Sequence, residues 1–298
     1  MSFDPARRFI SSPFFSSPVL ATIRVLFALF GLATTLTVLA LTADPDYRAK
    51  NGQFVFYSYF TSLSFIGLTS YYVAAATHTG VFVATKGRKY LLADWGRVLQ
   101  TMYEILFATI STFPIVVTVV FWTLLSSPDT FATPLSSFSS IVQHACNTPF
   151  ALFEILLTNA PPLRWIHLPV CVVLLGLYLC VAYITHASQG VYVYNFLDPN
   201  ITHGRLAAYI VGIAIGECVV FALVKGLMTG REALVRKYWP ERAVTLGTET
   251  THGDHPMQSV RRDIERTADE DEKRRESINK SQTSIYKTRT SVDVRGSR

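Results

Sequence analysis

"VLATIRVLFALFGLATTLTVLALTA", residues 19–43, is an almost unbroken apolar run whose only charged side chain is Arg24. A helix rising about 1.5 Å per residue needs about 20 such residues to cross a hydrocarbon layer of roughly 30 Å, so this run has the length of a membrane span. It is too long for the core of a typical signal peptide, and the sequence that ends it, "LTADPDYRAK", has no clear small-x-small cleavage site. It is therefore kept as a spanning helix.

The rest of the chain has the same character. Half of its 298 residues are hydrophobic and only 16% are charged, with a positive mean hydropathy, which is too apolar for an ordinary soluble domain. Windows of about 20 residues pick out six segments, roughly 20–43, 54–77, 99–125, 138–158, 166–187 and 205–229. None alternates with period two, and a lipid interior cannot satisfy an open strand edge. The expected fold is all-α, a polytopic six-transmembrane-helix bundle. Pro114 and Pro149 are expected to kink the third and fourth helices.

The formal net charge of +6 lies in membrane-flanking segments and in a mixed-charge tail, with no basic face, so no nucleic-acid partner is expected. Arg7, Arg8, Lys86, Arg88, Lys89, Arg97 and Arg164 fall on one side of a six-span arrangement, which puts both termini in the cytoplasm. Beyond residue 230 the composition turns to Lys, Arg, Asp, Glu, Ser and Thr, too polar to offset the entropy of ordering. Three parts are thus expected: a cytoplasmic N-terminal segment (1–19), a transmembrane domain (20–230) and a charged, disordered cytoplasmic tail (231–298). Cys146, Cys171, Cys180 and Cys218 all sit in apolar runs without CxxC spacing, which points to neither disulfides nor a thiolate metal site.

An ionisable side chain at membrane depth is costly unless it faces the bundle interior or a partner, so Arg24, Glu104, His144, Glu154, His186, Glu217 and Lys225 are the residues to explain. Counting residues from the non-cytoplasmic ends of the second and fourth segments places Thr61 roughly 10 Å deep and His144 about 9 Å deep. His186 ends the fifth segment on the same face, followed by a polar and aromatic loop with Tyr192, Tyr194 and Asn195 that can act as a lid. A hydroxyl and an imidazole at one level suit acyl chemistry. The ring takes the proton as the alcohol attacks a carbonyl, and Asn147, three residues from His144, can donate to an oxyanion.

Three stretches carry a family resemblance: "FYSYFTSLSFIGLTSYYV" (56–73), "QHACNTPFALFEILLT" (143–158) and "GLYLCVAYITHASQGVYVYNFLD" (176–198). Together they resemble the androgen-induced and androgen-dependent membrane proteins, multi-spanning threonine hydrolases that cleave fatty acid esters of hydroxy fatty acids. The resemblance covers roughly residues 55–230. It implies Thr61 as nucleophile, His144 as its assistant, and no metal or other cofactor. His186 matches the first member of a His-His pair. The chain departs from the family pattern at Asn147 and Ala187, where the family has histidines, and at Asn195, where it has proline.

The expected function is a membrane-embedded lipid ester hydrolase drawing its substrate from the bilayer. Two alternatives carry their own motivation. Glu104, Glu154, Glu217 and His144 at different depths would form the ladder of a proton-coupled transporter or channel. His144 and His186, with or without His203, would ligate haem or zinc, although no metal-binding signature is present.

Overall fold

In the computed structural model, residues 3–43, 45, 56–202 and 204–243 are described, and among them the chain is all-helical. The long helices are α1 (Ser17–Ala43), α2 (Phe60–Ala84), α3 (Arg97–Val120), α4 (Pro134–Ile141), α5 (Asn147–Leu157), α6 (His167–Gln189) and α7 (Leu206–Tyr238). Four stretches are both long and apolar enough to cross a membrane: Ser17–Ala43, Arg97–Leu125, His167–Gln189 and Leu206–Tyr238.

The other two expected spans differ in instructive ways. α2 has the length, at 25 residues, but it is the interior helix, packed against both α1 and α3. Its buried side chains include Thr61, Ser62, Thr69, His78 and Thr79, and an interior helix can carry such polar groups because they meet other helices and not acyl chains. The fourth segment is not one α-helix. A π-helical turn, Val142–Cys146, separates α4 from α5. Pro149 follows immediately and has no N–H to return to the turn before it. The His144 carbonyl is taken up by side chains from α3 and its extension, the Thr118 hydroxyl at 2.8 Å and the Trp122 indole N–H at 3.3 Å. Pro114 lies inside the continuous helix α3, and its carbonyl accepts from the Thr148 hydroxyl at 3.2 Å.

α1 shows how the bundle faces two environments. Its buried positions, Leu20, Arg24, Ala28, Gly31, Thr34 and Val38, recur every three or four residues and form one stripe. Val25, Leu26, Leu29, Leu32 and Leu36 are exposed on the rest of its surface, as hydrocarbon facing hydrocarbon. A Cβ added at Gly31 would stand 2.5 Å from the Thr69 hydroxyl, so the glycine is what lets α1 and α2 approach this closely.

Near the N-terminal end of that stripe Arg24 is fully buried. Its Nε and Nη2 donate to the two oxygens of Glu154 at 2.8 and 2.7 Å, and its Nη1 donates to the Phe9 carbonyl at 2.8 Å and the Thr79 hydroxyl at 2.7 Å. The Tyr71 hydroxyl completes the carboxylate at 3.1 Å. One guanidinium thereby ties together α1, α2, α5 and the segment before α1. Glu104 stands instead near Arg164 and His167, at 3.6 and 3.7 Å. Glu217 is also fully buried but takes no part in the Arg24 network.

The N-terminal segment belongs to the bundle. Phe9 and Ile10 are buried in the core, Phe9 packs edge-on against Tyr103 and Phe107, and Arg8 pairs with Glu232. The charged tail is expected to begin at residue 231. α7 continues to Tyr238, and Arg231 is buried, donating to the carbonyls of Ile155 and Ala160. Ile155 lies in the last turn of α5, whose carbonyls have no partner within the helix, so Arg231 serves as a cap supplied by another helix. Lys225 reaches the Leu163 carbonyl at 2.6 Å and lies over the Trp165 ring. Tail residues 244–298 lie outside the described residues.

Glu154→Ala leaves a buried guanidinium without its carboxylate and is expected to cost about 3–5 kcal/mol, read from unfolding of the purified protein in detergent. The double variant Arg24→Met, Glu154→Leu is expected to recover most of that loss, since it removes both charges together.

Candidate functional site

The N-terminus of α2 opens onto a cavity of about 280 Å³ between α3, α6 and α7. Its wall is mostly hydrocarbon, including Val116, Val120, Leu175 and Ile213, and its polar groups are the hydroxyls of Thr61, Tyr178 and Tyr194. On the far side of Phe60 and Tyr178 lies a second apolar cavity of similar size, reaching Ser64 and Gly67.

The hydroxyl cluster follows from the way α2 begins. The first N–H groups of a helix have no partner within it, and Tyr59 at the N-cap supplies no capping side chain. The Tyr194 phenol takes that place, accepting from the Phe60 N–H at 3.1 Å. It also faces the hydroxyls of Thr61 and Tyr178. Tyr178 in turn donates to the Ser58 carbonyl at 2.9 Å, and the Thr185 and Ser58 hydroxyls meet at 2.8 Å. Ring contacts hold these phenols in place, Phe60 lying 5.0 Å from Tyr178 and 5.1 Å from Phe113, and Tyr194 stacking on Phe196. Burial pushes the Tyr194 phenol above its ordinary range, against the opposing pull of the surrounding donors, so it remains a neutral hydroxyl.

The residues expected from sequence are distributed unevenly around this cavity. Thr61 lies on its wall and is 7% exposed. Tyr194 lines it too, whereas His144, Asn147, His186, Tyr192 and Asn195 do not. His144 sits in the π-helical turn, stacked on Phe121 with ring centroids 3.6 Å apart and planes within 6°. Its Nδ1 is buried without a hydrogen bond. The turn packs against α2, but no hydrogen bond joins the imidazole to the Thr61 hydroxyl. Asn147 is buried, and its Oδ1 accepts from Thr118 at 3.0 Å. His186 stacks on Tyr192 at 3.7 Å, beside the left-handed Gly190 that ends α6. Asn195 opens the short 3-10 turn Asn195–Leu197.

Of the carboxylates expected to form a ladder, Glu154 is held by Arg24 and Glu104 stands beside Arg164 and His167. Among the described residues no three His, Cys, Asp or Glu side chains are grouped so as to hold a metal ion, and His203 lies outside them. Tyr178 is the site residue that sequence reasoning passed over, because a tyrosine inside an apolar run adds nothing to a search for ionisable groups at depth.

No protein-family model, curated protein or solved structure matches the chain.

Tyr194→Phe leaves the Phe60 N–H without its acceptor and is expected to cost about 1 kcal/mol of stability. The unfolded phenol ionises near pH ~10 and the folded one above it, so this group's contribution is whole below that pH and is lost as pH rises beyond it. Thermal midpoints measured at rising alkaline pH are expected to fall less steeply in Tyr194→Phe than in the wild type.

Proposed function

We propose that the chain is a six-span membrane protein with both termini in the cytoplasm, and that it hydrolyses lipid esters through an acyl-threonine intermediate. The observation that carries this proposal is the position of Thr61, an alcohol on the wall of an otherwise hydrocarbon cavity that suits an acyl chain. The resemblance to membrane threonine hydrolases points to the same residue, and to fatty acid esters of hydroxy fatty acids or similar acyl esters as substrates.

In the proposed reaction the Thr61 oxygen attacks the ester carbonyl carbon while its proton passes to His144. The tetrahedral intermediate collapses, the bond to the alcohol breaks, and the alcohol leaves with the proton from His144. Water then attacks the acyl-threonine, giving its proton to His144, which returns it to the Thr61 oxygen as the acid departs. The His144 ring must leave the Phe121 stack to reach Thr61, a rotation within a turn that already packs on α2. Catalytic hydrogen bonds often close only once substrate is bound. In this scheme the loop bearing Tyr192 and Tyr194 covers the site.

Purified Thr61→Ala is expected to fold and to lose both ester hydrolysis and labelling by a fluorophosphonate probe. His144→Ala is expected to lower hydrolysis by about 10²–10⁴-fold. Turnover retained in either variant removes that residue from the mechanism, and a wild type without activity over a panel of lipid esters removes the mechanism itself.

A further inference from the structure

The charge content of the Thr61 cavity narrows what it can accept. Among the described residues, no lysine, arginine, histidine, aspartate or glutamate lines it. The basic groups placed in this part of the sequence are engaged elsewhere, His144 beneath Phe121 and His186 against Tyr192. The buried arginines Arg24 and Arg231 are committed to Glu154 and to carbonyls at the end of α5. A carboxylate or phosphate entering the cavity would lose water and meet no cation among the described residues of its wall, which is the costliest way to bury a charge. An ester carbonyl has no such requirement. It needs only a hydrogen-bond donor, and neutral phenols supply one.

We propose that this cavity selects uncharged acyl esters, seating the carbonyl oxygen against the Tyr194 phenol, and excludes lipids bearing a carboxylate or phosphate at that end. The cleavage half of the proposal rests on the hydrolase reading, and the binding half does not. It also departs from the substrates implied by the family resemblance, which carry a free carboxylate.

A matched pair of ligands tests it: the palmitate ester of 9-hydroxystearic acid with its carboxylate free, and the same molecule as its methyl ester, both at an alkaline pH that ionises the acid. Binding is measured with Thr61→Ala in neutral detergent, by displacement of a pyrene-labelled fatty acid methyl ester, and cleavage is measured with the wild type. The methylated ligand is expected to bind and to be cleaved at least about tenfold better, a ratio equivalent to 1.4 kcal/mol. Tyr194→Phe, in the Thr61→Ala background, is expected to weaken binding of the methylated ligand by a similar factor. Equal or tighter binding of the carboxylate form overturns the selectivity, as does failure of the methylated ligand to displace the probe. Rapid cleavage of the carboxylate form would leave the hydrolase proposal standing and this one fallen. Selective binding to Thr61→Ala with no cleavage by the wild type gives the opposite result.

Discussion

The ion pair between Arg24 and Glu154 is the constraint around which the bundle is arranged. Neither charge has access to solvent, so each must find its whole hydrogen-bonding complement inside the protein. The guanidinium meets that demand by drawing on three separate parts of the chain, with Phe9, Thr79 and Glu154 as acceptors. A point charge such as lysine could not reproduce this fork of donors. The position of α2 between α1 and α3, the tucked N-terminal segment and the orientation of α5 all satisfy the same group. Buried pairs of this kind add little net stability but penalise every arrangement that separates them. Such a penalty suits a fold whose outer surface, being hydrocarbon among acyl chains, discriminates poorly between alternatives.

Much of the architecture was legible in the sequence, and the misses have physical causes. Four spans follow directly from apolar length. α2 escapes that criterion because an interior helix is free to carry Thr, Ser, Tyr and His. The division of the fourth segment was half visible, since Pro149 announced a disturbance, but its form as a π-helical turn depends on Thr118 and Trp122 of another helix. Arg24 and Glu154 were both identified as costly groups, yet their pairing spans 130 residues of sequence and has no local signal. The helical course of residues 231–238 was hidden by composition, because a charged stretch resembles a solvated tail until Arg231 is found capping α5.

The candidate site was legible in a different way. Thr61 and Tyr194 lie on the wall of one cavity, although they are far apart in the sequence. Their juxtaposition arises because the uncapped start of α2 requires an acceptor, and the loop after α6 brings a phenol to it. His144 is held at the junction of two unusual segments, its own π-helical turn and the one at Phe121–Leu125. π-Helical turns are uncommon and are found often at functional sites. The stack between the two rings makes Phe121 a natural controller of what the imidazole can reach.

The separation of Arg24 from its carboxylate has a consequence for biogenesis. This span emerges from the ribosome carrying a cation whose counter-charge has yet to be translated, and an arginine two turns into a span raises the free energy of insertion, by less than the about 2.5–3.5 kcal/mol it costs at a span's centre. The strongly apolar character of Ser17–Ala43 offsets that cost. The Phe9 carbonyl, only fifteen residues away, is the one acceptor of the final set already made by then. α1 therefore enters the bilayer early but acquires its final environment late, when synthesis has passed residue 154 and the neutralising group arrives.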